Sequence, residues 1–163
     1  MEAKEKFFKG NKLLNGGKLS LSVNYSKKLN EIILPGRYDF VDPRIVVKNF
    51  PIEEEFGGRL VNLIARLFHF KETMHTDEII SQIEKTDYRL GKLPELMAFG
   101  GTYPNLQRGV SIIALGQPTE LNGSYFVPGL TKSGNQARIV KLYSFQGVWP
   151  PICHFLAVKE VEL

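Results

Sequence analysis

The sequence predicts an α+β fold: a mainly antiparallel sheet built from N- and C-terminal strands, with two or three central helices packed on one face. Three observations predict it. Residues 52–70 place Ile52, Phe56, Leu60, Leu63, Ile64, Leu67 and Phe68 at spacings of three and four, the period of a helix with one buried stripe. On either side lie short runs rich in β-branched and aromatic residues, cut by Gly and Pro. Like elements come in runs, strands then helices then strands, and that order favours antiparallel pairing over a β-α-β sheet.

From the N-terminus, residues 1–17 end in the turn signal Asn15-Gly16-Gly17 and read as a short helical face or a loosely held basic arm. Residues 18–25 alternate apolar and polar without a break, so they predict a half-buried strand with Leu19, Leu21, Val23 and Tyr25 inward. Residues 30–34 predict a second strand stopped by Pro35-Gly36, with 38–41 continuing beyond the turn. Residues 45–50 predict a third, ended by Pro51. The striped helix would then carry Glu53, Glu54 and Glu55 in its first turn, where the macrodipole favours acids. Gly57-Gly58 inside it would cost about 1 kcal/mol each relative to alanine.

Thr76 predicts an N-cap for a helix over 77–85 that buries Ile79, Ile80 and Ile83. Pro94 opens a shorter helix that Gly100-Gly101 would end. Residues 110–115 predict a buried strand, and Asn122-Gly123 a hairpin. Residues 137–145 predict a long strand with Arg138, Val140, Leu142 and Ser144 on one face. Residues 152–161 predict the last strand.

The 163 residues fit one globular domain, 1–163, and a chain this long buries roughly 70% of its unfolded surface, enough for a core without staples. A single cysteine, Cys153, excludes an internal disulfide framework and suits a reducing compartment. No apolar run is long enough to span a bilayer, so the expectation is a cytoplasmic protein with no membrane partner.

Motifs for chemistry are sparse. There is no Walker loop, no G-x-G-x-x-G and no G-x-S-x-G, and the glycine doublets lack the lysine a phosphate cradle needs. His69 and His75 are six apart, and Cys153 and His154 are adjacent and would point to opposite faces of a strand. That spacing does not make a closed metal site, so neither metal nor cofactor is expected. Cys153 paired with His69 or His75 is the sharpest catalytic idea, against which stands its apolar strand, Ile152-Cys153-His154-Phe155, the usual setting of a packed cysteine. No catalytic residue is assigned, and the sequence does not decide between enzyme and non-enzyme.

The candidate binding residues are Tyr103, Asn105 and Arg108 in the loop after the Pro94 helix, together with Trp149 in the turn 145–151. Loops held by rigid elements tend to carry binding groups, and aromatics and Arg supply much of the energy at protein contacts. The leading expectation is a non-catalytic binding or protein-interaction module whose partner is another protein or a small ligand. One alternative is a small enzyme with a pocket between loops 98–108 and 145–151. Another is a nucleic-acid or other anionic-partner binder using the N-terminal lysines, since residues 1–28 carry Lys4, Lys6, Lys9, Lys12, Lys18, Lys27 and Lys28 against only Glu2 and Glu5. Without aromatic–basic interleaving the lysines fit a solubilising arm better, and nucleic acid is not favoured.

Overall fold

The computed structural model describes residues 16–52 and 58–161. The predicted arm up to residue 15, and the first turn expected at Glu53, Glu54 and Glu55, lie outside them. The described chain is mixed α and β, with three helices and a large, mostly antiparallel sheet. In chain order the elements are β1 (Leu19–Asn24), α1 (Leu29–Ile33), β2 (Phe40–Val41), β3 (Leu60–His69), β4 (Met74–His75) and α2 (Thr76–Glu84). They continue with β5 (Arg89–Leu90), α3 (Leu93–Thr102), β6 (Ser111–Ile113), β7 (Thr119–Leu121), β8 (Ser124–Lys132), β9 (Arg138–Ser144), β10 (Val148–Trp149) and β11 (Cys153–Glu160). Nine strands form one sheet in the order β1-β3-β11-β6-β8-β9-β2, with β5 beside β11 and β7 beside β8. Two pairings are parallel, β11 with β6 and β2 with β9. β4 and β10 make a separate small ribbon.

The segment predicted as the main helix is strand β3, second from the margin and held between β1 and β11. Its apolar residues serve both faces: Leu63, Ala65 and Leu67 enter one core cluster, while Phe68 enters the other and Ile64 packs against it. A strand buried on both sides loses polar alternation and reads as a nearly continuous apolar run, which falls by chance on helical spacings. Leu60, expected on the buried stripe, is 65% exposed at the strand's start. Residues 30–34 are helical rather than extended, burying Leu29 and Ile32. Residues 45–50 form turns that drop Ile45 and Phe50 into the core. The hairpin at Asn122-Gly123 is present, with φ of 53° and 84° at the two turn residues, as a two-residue connection demands.

The helices do not share one face. α1 and α3 pack on the side of Leu63 and Leu67, whereas Ile79 and Ile83 of α2 join Trp149, Cys153 and Phe155 on the other. The interior is therefore two clusters separated by the sheet, not one. α3 is buried nearly all round, with Leu93, Leu96, Met97 and Phe99 fully enclosed, so a one-sided stripe is neither needed nor found.

This helix bridges strands that are far apart in the sheet. α3 reaches β1 through Tyr103 and reaches β8 and β9 through Gly100 and Arg138. β1 and β9 are five steps apart in the strand order, about 24 Å at the usual spacing. The ten residues of α3 are about 15 Å long, and the Tyr103 and Arg138 side chains bridge the remaining distance to the two strands. Glycine permits the approach: a Cβ at Gly100 would collide with the Tyr38 hydroxyl and press on Leu130. This explains why Gly100-Gly101 lies inside α3 instead of ending it.

Candidate functional site

β1 is a margin of the sheet, and among the described residues it pairs with β3 alone. The Tyr25 N–H to Arg59 C=O bond of 2.9 Å shows which residues bond β3: Tyr25 and, by alternation, Val23, Leu21 and Leu19. The main-chain groups of Ser20, Ser22 and Asn24 consequently point away from the sheet. Two of their carbonyls are occupied. The Tyr103 hydroxyl donates to Ser20 C=O at 2.7 Å, and Lys27 N–H donates to Asn24 C=O at 3.3 Å.

Beside this margin runs a groove of about 350 Å³ between β1, α1 and α3. Ile32, Pro35 and Ala98 supply apolar surface, and Thr102 adds a hydroxyl to the lining. Lys27 and Glu31 stand on the rim, 3.9 Å apart and both well exposed, a pair that contributes little to stability. Ser22 also lines the groove, although its hydroxyl is turned to the opposite face, where it donates to Asn62 Oδ1 at 2.7 Å. What Ser22 offers the groove is therefore main chain.

Two buried charges hold α3, the wall of this groove. Glu95, 1% exposed near the helix start, accepts from the Tyr25 hydroxyl at 2.8 Å, from Arg89 Nη1 at 2.6 Å and from Lys92 N–H at 3.1 Å. Burial and then the adjacent carboxylate push the Tyr25 phenol well above its ordinary pKa, so it remains a donor. At the other end Arg138 donates to Gly36 C=O and, at 2.6 Å, to Gly100 C=O, with Tyr38 against its guanidinium. An acid at the start and a cation at the end both complement the helix dipole. Burial lowers the Arg138 pKa, yet an arginine stays charged.

The structure separates the residues expected to form a site. Tyr103 packs on Phe99 and touches β1, on the α3 side of the sheet. Asn105 Oδ1 accepts from Arg108 Nη1 at 2.6 Å, and Arg108 Nε donates to Gln136 C=O at 3.2 Å, so these two brace the loop before β9. Trp149 is 5% exposed in the cluster on the opposite face, where its Nε1 donates to Thr76 Oγ1 at 2.9 Å. Loops 98–108 and 145–151 therefore do not bring Tyr103 and Trp149 to one surface.

Cys153 lies in the Trp149 cluster, and burial pushes its thiol up to about 11, so it is protonated at neutral pH. His154 instead faces the α3 side and stacks on His69 directly across the β3–β11 ladder, ring centroids 4.4 Å apart. Burial first, and the neighbouring His69 second, push His154 down to about 4. His75 is elsewhere, preceding α2, where its N–H donates to Glu78 Oε1 at 3.2 Å. Among the described residues no three His, Cys, Asp or Glu side chains gather where a metal ion could be held. No described helix is long and apolar enough to cross a membrane.

Sequence reasoning passed over the groove residues Ser22, Asn24 and Ile32, and reached Ala98 only as the start of the loop 98–108. The alternation of β1 showed a strand but carried no sign that it would lie at a margin. Comparison of the chain with models of known protein families, with curated proteins and with solved structures finds no match to any of them.

Proposed function

We propose that the protein is a non-catalytic binding module whose partner seats in the groove between β1, α1 and α3. The observation that carries this is an apolar-lined groove bordered by strand main chain that no described segment pairs with. Binding sites combine an apolar lining with a few placed polar groups, and Ser22, Lys27, Glu31 and Thr102 supply those here. The catalytic alternative has less support: the one thiol is buried and protonated, and it faces away from the His69–His154 stack.

The test is selection of short random peptides against the folded chain, followed by NMR mapping of a selected binder. Amide shifts should concentrate at Ser22, Asn24, Ala98 and Gly101. Narrowing the groove with Ala98→Leu should weaken binding by about tenfold while leaving the cooperative unfolding transition in place. Binders that map elsewhere, or that ignore Ala98→Leu, would refute the proposal.

A further inference from the structure

We infer that the partner binds as an added strand: an extended peptide pairing antiparallel with β1, its side chains on one face entering the groove. This rests on the groove reading and deepens it by naming the partner's conformation.

The margin itself specifies an extended occupant. A sheet edge offers donors and acceptors at the spacing of another strand, and addition of an extended peptide satisfies them through main-chain bonds, with adjacent pockets reading alternate side chains. Here Ser22 presents both N–H and C=O outward, so it can exchange two bonds with one partner residue. Ser20 and Asn24 each add an outward N–H, while their carbonyls are already engaged by Tyr103 and Lys27. Among the described residues these four groups have no other hydrogen-bond partner, and those of Ser22 form the complete pair. Opposite Ser20 to Asn24 they suit an extended stretch of about five residues. The groove borders this same stretch, so side chains of the added strand on the α3 side would meet Ile32 and Ala98. Tyr103 sets the limit: its phenol occupies the acceptor through which pairing would extend at Ser20.

The probe is a peptide selected as above. Ser22→Pro deletes the outward N–H, a change that an edge strand tolerates because the fold does not use that donor. Ser22→Ala keeps the main chain and loses only the hydroxyl on the other face. Affinity should fall about tenfold or more in Ser22→Pro and hold in Ser22→Ala. Tyr103→Phe, which releases the Ser20 carbonyl, should tighten binding by about two- to tenfold. Hydrogen exchange on the unmodified protein gives a second readout that does not depend on the proline variant folding: saturating peptide should slow the amides of Ser20, Ser22 and Asn24. Wild-type affinity in a folded Ser22→Pro, or a Ser22 amide that the peptide does not protect, overturns strand addition. If Ala98→Leu still weakens the complex in that case, the groove stands and only the strand geometry falls.

Discussion

Lowering the pH should destabilise the fold through His154. This imidazole is 1% exposed, stacked on His69, and held down to about 4 by burial and by that neighbour. An unfolded chain returns it to about 6.5. Above that pH neither state carries the proton and the site is silent. Between 6.5 and 4 the unfolded chain binds a proton that the native state refuses, so stability falls as pH falls, and the loss levels off below about 4. At roughly 1.4 kcal/mol per pH unit, the gap amounts to about 3 kcal/mol. Carboxylates also cost stability on acidification, including Asp42, whose pKa the Arg44 guanidinium lowers, so the measurement must be differential. Urea unfolding of the wild type and of His154→Phe, which keeps a ring and cannot titrate, should be followed from about pH 7 to pH 4. The wild-type curve should fall more steeply, the two diverging by about 3 kcal/mol across the range. Curves parallel to within about 0.5 kcal/mol would show that the ring is not buried neutral as described, and the reasoning would fail.

Two further outcomes follow from the packing. Leu67→Ala should cost about 2–5 kcal/mol in urea unfolding, whereas Leu60→Ala should change stability by less than about 0.5 kcal/mol, because the first side chain is enclosed in the core and the second faces solvent. Equal losses at both sites would restore a helical stripe in place of β3. The Cys153 thiol should resist alkylation near neutral pH in the folded protein and react promptly once urea unfolds it; rapid labelling of the native state would contradict its burial and raised pKa.

The legible parts of the fold were those where one face of an element meets solvent or a turn is chemically specified. β1 alternates because Ser20 and Ser22 are exposed while Leu19, Leu21 and Val23 are buried. β9 was legible for the same reason, and α2 shows its amphipathic face at Ile79 and Ile83. Asn122-Gly123 named its own hairpin. β3 was misread because its neighbours in space, not its neighbours in sequence, make it two-sided: β1 and β11 flank it, and cores lie above and below. α1 was misread as a strand because Ile32 and Ile33 are β-branched and favour extension, and contact with α3 overrides that preference. The groove was illegible on similar grounds. It depends on which strand ends the sheet, and strand order is a long-range property. Tyr103 was the one anticipated residue that touches this margin, while Trp149 proved to be interior.

The contacts of α3 couple strands that the sheet order keeps far apart. One rigid rod is bolted to Tyr25, the residue after β1, through Glu95, and to β9 through Arg138. A partner wedged against Ala98 cannot tilt that rod without loosening the Arg138 guanidinium from Gly36, which itself lines the groove, and from Gly100. Occupancy of the groove should therefore register as altered hydrogen exchange in β9, which carries Arg138, through displacement of a solid body and not through any chain of flexible contacts.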